Sequence, residues 1–333
     1  MSTWFQSLFG FVETDYETTQ GQFDLDGETL TSRANGRSFG AGSFDTPSVQ
    51  SLRARAAHAL PGTLRISHDV VGDVLELHAR PENAGAMFQA ASQLNCLEFA
   101  GPNETPEDGV TQYADDPTQG PACSLAAAAA TVVRNYFVPV GDAVGQRHDR
   151  QLDTLDAVKQ ALGEPEQFVT VRNGYTFSDP ERLAAVGPAI ERVGREVLIE
   201  HMKIGVQTNV EVTFASRYVP PPVPTFVSQA FCSALSCGYN RLPTDAWEPL
   251  ATVVLDAAYE ATLWAAVVDA HEGDGSGVVW LTFIGGGVFG NRRAWIARAI
   301  RRALYCVQGH ALEVHIAHYR RLDEEIRGII DAP

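Results

Sequence analysis

The hydrophobic pattern along the chain alternates between two kinds of segment. Short runs that are apolar or strictly alternating predict strands at 167–172, 206–214, 226–235, 278–284 and 312–318. Longer segments with apolar residues at helical spacing predict helices at 180–199, 247–271 and 292–308. Segments that alternate in this way form a layered α/β sheet with helices on both faces, and this is the fold class that the pattern predicts.

One of these strands leads directly into a run of glycines. Residues 285–291 read Gly-Gly-Gly-Val-Phe-Gly-Asn and lie between the strand at 278–284 and the helix at 292–308. Glycines tolerate positive φ, and a helix start offers free N–H groups and a partial positive charge. The combination predicts an anion site, most often for a phosphate or diphosphate. The plain alternative is a tight turn that lets the helix and the strand pack closely.

Gly285, Gly287 and Gly290 also satisfy G-x-G-x-x-G, the pattern of a dinucleotide-binding unit. The position of the loop argues against that interpretation, because such a fold uses the loop early and needs several more strands after it. Here the residues after Gly290 suffice for one helix, one strand and a charged helix or tail. The glycine loop is therefore expected to close the fold rather than to begin it.

The first sixty residues have a different pattern. Asp26-Gly27 and Asn35-Gly36 separate short, partly alternating segments, and this is typical of tight hairpins. We therefore predict an N-terminal extension over residues 1–60, made of a β-meander and a short helix at 48–59. An α/β domain over residues 61–333 follows it. Within that domain, 64–66 and 70–78 are expected to form a hairpin or two core strands.

Amide side chains are concentrated in a stretch that otherwise consists of small and apolar residues. Asn83, Gln89, Gln93 and Asn95 lie within 81–95, where a solvated surface helix would carry Lys and Glu. Buried amides must be hydrogen-bonded. We expect them either to bond to neighbouring loops or to face a polar ligand.

An acidic loop follows at 101–121 and leads into an apolar core helix at about 122–136. Loops of this length in compact domains are usually functional or disordered, and the core helix fixes the end of this one. Asp108, Asp115 and Asp116 are therefore candidates for catalytic carboxylates. The alternative is a solvated acidic turn.

Composition narrows the classes of function. The chain has 333 residues, of which 45% are hydrophobic and 20% charged, and this suits a globular protein of one or two domains. Its formal charge of −16 would repel a nucleic-acid backbone, so we expect no nucleic-acid partner. The sequence has no recognisable leader or membrane-spanning run, so we expect no membrane partner either.

The cysteines and histidines favour neither a metal nor a redox site. The five cysteines form no C-x-x-C pair and lie mostly in apolar stretches, which predicts reduced core thiols in a cytoplasmic protein. His315 and His318 would lie on opposite faces of a strand, where they cannot easily share a metal. We therefore predict no metal and no cofactor. A cysteine nucleophile at Cys123 or Cys232 would need a histidine partner, for which there is no recognisable pattern.

Taken in order, four segments resemble a known family: 83–95, 108–121, 228–234 and 285–291. The glycine loop near the end of an α/β sheet is similar to the diphosphate loop of macrodomains. The whole set, over about residues 78–320, resembles a divergent branch of macrodomain-like ADP-ribosyl hydrolases. Members of that branch include a bacterial effector that removes ADP-ribose from an arginine of ubiquitin. The Asn-Ala-Ala-Asn run of ordinary macrodomains is absent from this chain.

The resemblance implies a fold and a function. The fold would be a macrodomain-like three-layer α/β/α mixed sheet, and the protein would be a hydrolase that removes ADP-ribose from modified protein side chains. Its partner would be ADP-ribose or an ADP-ribosylated protein. Asp108, Asp116 and Gln119 would form the catalytic set, with Gln119 orienting ribose or water. The ligand-binding set would comprise Gln93, Asn95, Gly285, Gly286, Gly287, Val288, Phe289, Gly290 and Asn291.

Two other functions stay open at this point. The first is a binding module, which would bind ADP-ribose without hydrolysing it. A nucleotide-dependent oxidoreductase or transferase would instead bind NAD more tightly than ADP-ribose.

Overall fold

The computed structural model describes residues 3–163, 166–216 and 218–332. The helices in this part of the chain are α1 Trp4–Phe9, α2 Tyr16–Gly21, α3 Val49–Ala56, α4 Val74–His78, α5 Gln119–Ala126, α6 Ala128–Tyr136, α7 Asp156–Leu162, α8 Pro180–Val193, α9 Arg195–His201, α10 Glu248–Glu272, α11 Arg293–Cys306 and α12 Glu324–Ile330. The strands are β1 Phe23–Asp26, β2 Thr29–Ser32, β3 Ser38–Gly40, β4 Ser43–Asp45, β5 Arg65–Val71, β6 Met87–Ala91, β7 Pro139–Val140, β8 Ala143–Val144, β9 Thr170–Arg172, β10 Tyr175–Phe177, β11 Gly205–Glu211, β12 Phe226–Cys232, β13 Val278–Leu281 and β14 Glu313–Tyr319.

A seven-stranded mixed sheet forms the centre of the molecule. Its strand order is β4-β11-β12-β6-β13-β14-β5. The five strands from β12 to β5 run parallel to one another, whereas β11 is antiparallel to both β12 and β4. The carboxyl ends of β12, β6 and β13 therefore meet at one edge of the sheet. Loops that follow parallel strands at this edge are where α/β folds usually bind ligands.

Helices cover both faces of the sheet. Val279, Leu281 and Ile316 point towards the layer of α3, α10 and α11. Phe88 and Trp280 alternate with such residues and pack on the opposite face, beside α4, α5 and α6. This alternation follows from the period of two along a strand. The predicted fold class, a three-layer α/β/α mixed sheet, is confirmed.

The longest helix, α10, is apolar nearly all round. It is long and apolar enough to cross a membrane by length and composition alone, but 83% of the most apolar window in this region is buried inside the protein. A helix without a polar face is expected in the middle of a large core. Here α10 packs between α3 and α11, so its apolar surface is explained by the fold.

The N-terminal sixty residues contribute to both parts of the molecule. The predicted meander is present as the small sheet β1-β2-β3. Asp26 ends β1, and Gly27 lies in the turn between β1 and β2. β4, however, lies at the edge of the main sheet beside β11, and α3 packs on α10. The predicted boundary at residue 60 stays a prediction, and the segment before it supplies one strand and one helix to the main layers.

Three local predictions are wrong. The stretch 70–78 is not one strand: β5 ends at Val71, and Asp73 then starts α4 by accepting a hydrogen bond from Leu75 N at 2.9 Å. The helix expected at 122–136 is broken at Ala127, where Thr213 Oγ1 accepts from Ala128 N. The helix expected at 180–199 is broken at Gly194, which has a φ of +95°.

A buried histidine makes the stability of this fold depend on pH. His78 is fully buried, stacks on Phe88 with ring centroids 3.7 Å apart, and donates from Nδ1 to Val74 O at 2.7 Å. Burial lowers the pKa of His78 to about 4 from an ordinary value of 6.5. In the unfolded chain the His78 imidazole therefore binds a proton as the pH falls below 6.5, whereas in the folded chain it stays neutral down to about pH 4.

We expect the free energy of unfolding to fall by about 3 kcal/mol between pH 7 and pH 4 because of this one group. Urea unfolding at several pH values measures the effect. His78→Gln should flatten the pH dependence over this window, whatever it does to stability at pH 7. His271→Gln, at an exposed position, is the control and should leave the slope unchanged. An equal slope in the wild type and His78→Gln would contradict the assignment.

Candidate functional site

Three loops meet at the carboxyl edge of the sheet. They follow β6, β12 and β13 and span residues 92–99, 233–240 and 282–292. Ser92 N donates to Cys232 O at 2.9 Å, and Gly238 N donates to Phe289 O at 2.9 Å. Sequence-distant segments are thus joined by backbone hydrogen bonds at the place where the parallel strands end.

The glycine loop, residues 285–291, adopts a conformation that needs glycine at two positions. Gly285 and Gly290 have φ values of +72° and +71°. A Cβ on Gly285 would also collide with the Cβ of Ala234 in the loop after β12. The loop is closed by Asn291, whose N donates to Gly285 O at 3.0 Å and whose Nδ2 donates to Leu235 O at 2.8 Å. Asn291 is therefore a structural part of the loop.

The outer part of this loop has unused N–H groups. The amides of Gly286, Gly290 and Asn291 bond to carbonyl groups within 283–287. By contrast, those of Gly287, Val288 and Phe289 donate to no acceptor in the part of the chain that the structure describes. Nothing lies within 4 Å of a Cβ built on Gly287, and Val288 is 69% exposed. Three successive amides are thus left without a protein acceptor at an exposed loop tip, where an anion could accept from them.

The start of α11 adds to this arrangement. Its N-cap residue, Arg292, makes no side-chain capping hydrogen bond, and no acidic residue lies in the first turn. The positive end of the helix dipole is therefore not neutralised from within the helix. The predicted anion site stays a prediction, and Gly285 and Gly290 also serve the plain structural purpose of a tight turn.

Two tyrosines pack against the tip of the glycine loop. The ring centroid of Phe289 lies 5.4 Å from that of Tyr175 and 5.7 Å from that of Tyr239. Tyr175 lies on β10, and Asn173-Gly174 forms the turn between β9 and β10. Neither tyrosine was among the predicted site residues, because nothing in the local sequence places either one beside a loop that follows much later in the chain.

The acidic loop begins just after Phe99 and Ala100, whose carbonyl groups accept hydrogen bonds from Tyr175 and Tyr239. Glu104, Asp108 and Asp115 line one open cleft of about 530 Å³, together with residues of the N-terminal segment. Asp108 is exposed, and its Oδ2 accepts hydrogen bonds from Thr105 N and Oγ1 at 2.7 and 3.1 Å. In this structure Asp108 therefore fixes the local turn, and no described contact links it to the glycine loop.

Asp116 does not line this cleft. Its Oδ1 accepts from Thr118 N at 2.8 Å just before α5. Burial, and after it the neighbouring Tyr239, raises the pKa of Tyr175, and the carboxylates of Glu104 and Asp116 add to that shift. No described contact joins Asp116 to Tyr175 or to the glycine loop, so the pairing of Asp116 with this loop stays a prediction.

The three predicted amides are already hydrogen-bonded within the protein. Gln119 pairs with the backbone of β6, accepting from Ala91 N and donating to Gln89 O, both at 2.8 Å. Gln93 pairs in the same way with Phe99, accepting from its N and donating to its O, both at 3.0 Å. Asn95 is fully buried and bonds to Leu97 N and Gln151 Oε1. As arranged here, these amides shape the loops around the site, and their direct contact with a ligand stays a prediction.

A buried ion pair supports the same loops. The side chains of Glu98 and Arg134 are both fully buried, with Nη2 and Oε2 3.1 Å apart, and Ser124 Oγ donates to the same carboxylate oxygen at 2.6 Å. Burial raises the pKa of the Glu98 carboxyl, and Arg134 opposes that shift. Glu98 and Arg134 each lie in a mostly apolar stretch of the sequence, and this unusual placement could have identified them as a buried pair. A buried pair of this kind fixes the geometry of a loop more than it adds stability.

The cysteine alternative does not fit the structure. Cys123 and Cys232 are fully buried, and burial raises the pKa of Cys232 to about 12 and that of Cys123 well above its ordinary range. A nucleophilic cysteine needs the opposite shift, because the thiolate is the reactive form. Within residues 3–163, 166–216 and 218–332, no group of three or more His, Cys, Asp or Glu side chains is arranged to hold a metal ion.

Comparison with known proteins gives structural neighbours only. No family model matches the chain. No curated protein matches it either. Solved structures of poly(ADP-ribose) glycohydrolases are similar in fold. The Deinococcus radiodurans enzyme in complex with ADP-ribose has 14% identity and a TM-score of 0.48, over 86% of this chain and 91% of that one. The Thermomonospora curvata enzyme bound to the inhibitor ADP-HPD has 13% identity and a TM-score of 0.44, over 91% and 92%.

Proposed function

We propose that this chain is a hydrolase that releases ADP-ribose from modified protein side chains. The observation that carries the proposal is the row of three amides at Gly287, Val288 and Phe289 that bond to no acceptor in the described part of the chain. A diphosphate accepts hydrogen bonds from such donors, and each charge-assisted bond is worth roughly 1.5–3 kcal/mol. The glycine loop would therefore hold the ligand at its diphosphate.

The sugar beyond the diphosphate would lie towards the acidic loop. Phe289 packs on Tyr175, and we propose that a ribose covered by Phe289 would face the carboxylate of Asp116. Cleavage of the bond between the anomeric carbon and nitrogen develops oxocarbenium-like positive charge, which a nearby carboxylate stabilises. We assign this role to Asp116 and keep Asp108 as the second acid, from the adjoining cleft.

The reaction would then balance as a simple hydrolysis. The oxygen of a water forms a bond to the anomeric carbon while the bond from that carbon to the side-chain nitrogen breaks. One carboxylate takes a proton from the attacking water, and the leaving nitrogen gains a proton. We propose an arginine linkage because four carboxylates, Glu13, Glu104, Asp108 and Asp115, line the open cleft at the acidic loop and would attract a guanidinium group.

A second candidate is a module that binds ADP-ribose and does not hydrolyse it. It is favoured because all three predicted catalytic side chains already have partners within the protein: Asp108 with Thr105, Asp116 with Thr118 N and Gln119 with β6. The dinucleotide alternative has less support, because the glycine loop follows β13, the sixth of seven strands in chain order, in a sheet with antiparallel members.

A turnover assay separates these functions. The protein is incubated with an arginine-ADP-ribosylated protein, free ADP-ribose is measured over time, and calorimetry compares ADP-ribose, AMP and NAD. We expect release of ADP-ribose and tighter binding of ADP-ribose than of AMP or NAD. Binding without release would identify a binding module. Tighter binding of NAD than of ADP-ribose would favour a dinucleotide enzyme.

A further inference from the structure

Two tyrosines connect the glycine loop to the acidic loop through both ends of their side chains. Their rings pack on Phe289 at the tip of the glycine loop and on each other, with centroids 4.9 Å apart. Their hydroxyls donate to successive carbonyls, Tyr175 to Phe99 O at 2.7 Å and Tyr239 to Ala100 O at 3.3 Å. The acidic loop begins directly after these carbonyls.

The connection is rigid on the side of the hairpin. Tyr175 is 1% exposed, and Asn173 in the adjoining turn donates from Nδ2 to Pro102 O at 2.8 Å. Gly174 accepts from Leu94 N at 3.1 Å, and a Cβ on Gly174 would crowd Gln93. The hairpin, the loop after β6 and the first residues of the acidic loop are therefore held as one unit. Only Phe289 among these contacts belongs to the glycine loop.

We propose that Tyr175 and Tyr239 are positioning residues that couple occupancy of the glycine loop to the placement of the acidic loop. This inference rests on the proposed function of the same site. A ligand on the open amides restrains Phe289, Phe289 restrains the two rings, and their hydroxyls set the backbone at 99–100. The two tyrosines touch the loops that carry the ligand and the acids, and they need not touch the reacting atoms.

The test compares hydroxyl deletions that leave the rings in place. Tyr175→Phe, Tyr239→Phe and the double variant are assayed for ADP-ribose affinity, KM and kcat. We expect the double variant to bind ADP-ribose within threefold of the wild type and to keep its KM, while kcat falls at least tenfold. Tyr16→Phe is the matched control, because Tyr16 is also buried and also donates to a backbone carbonyl, Asn135 O, at 2.9 Å. It should keep kcat.

Hydrogen exchange provides a readout that does not need turnover. Saturating ADP-ribose should protect amides at 285–291 and at 101–118 in the wild type, and the double variant should lose only the protection at 101–118. An unchanged kcat together with unchanged protection would overturn the coupling, as would an equal loss of kcat in Tyr16→Phe. Coupled protection without turnover would contradict the hydrolase function alone. Absence of any ADP-ribose binding to the wild type would end both proposals.

Discussion

Asp116→Asn is expected to reduce kcat for release of ADP-ribose by roughly 10²–10⁴-fold, the usual contribution of a positioned acid or base. The asparagine keeps an Oδ1 that can accept from Thr118 N, so the start of α5 should remain intact. The variant therefore removes the negative charge and the proton acceptor but keeps the local fold. ADP-ribose affinity should change little, because the diphosphate is held elsewhere.

Steady-state release of ADP-ribose, measured beside calorimetry, checks this expectation. Asp142→Asn removes a carboxylate of the same kind at an exposed position and should keep full activity. Asp108→Asn is informative as well, because its side chain in this structure holds Thr105. If Asp116→Asn had normal turnover and Asp108→Asn lost it, the catalytic carboxylate would lie in the open cleft that Asp108 lines and not at Asp116.

Gly287→Glu is expected to weaken ADP-ribose binding by at least a hundredfold. The position has no positive φ and open space around its Cβ, so the substitution should not strain the loop. It would place a carboxylate at the row of open amides, where it would compete with the diphosphate. Loss of two charge-assisted hydrogen bonds amounts to roughly 3–6 kcal/mol, and about 1.4 kcal/mol corresponds to each factor of ten.

Calorimetry with ADP-ribose measures this loss, and Gly287→Gln is the matched control because it adds the same bulk without the charge. The glutamine variant should bind more tightly than the glutamate variant. Unfolding curves should coincide for both. Equal affinity of Gly287→Glu and the wild type would mean that the ligand does not use this loop. Gly286 is a poorer test position, since a Cβ there would press on Ile296 and on Phe283 O.

Much of the fold could be predicted from local pattern. The helix observed as α10 is apolar over seven turns, and the strand, glycines and helix at β13 and α11 follow one another without interruption. Elements like these can be predicted because residues that are adjacent in the sequence determine them. The break at Ala127 could not be predicted, because a residue much later in the chain, Thr213, accepts the hydrogen bond of Ala128 N.

The candidate site divides in the same way. The glycine loop between β13 and α11 was predictable because its glycines are clustered, and the acidic loop because its composition is unusual, whereas the binding of an anion stays a prediction. Predicting direct ligand contacts for Gln93 and Gln119 from residue type had no such basis, since each amide pairs with a particular backbone segment. Tyr175 was missed because its role depends on contact with Phe289, and only the folded chain brings a hairpin and a distant loop together.

The amides of Gly287, Val288 and Phe289 are proposed to hold a diphosphate, and the proposed hydrolase function depends on this contact. Backbone amide chemical shifts, followed by nuclear magnetic resonance during titration with ADP-ribose, test it most directly. We predict large shifts at these three amides with ADP-ribose and none with adenosine, which lacks the phosphates. Binding of ADP-ribose with these three amides unmoved would contradict the claim.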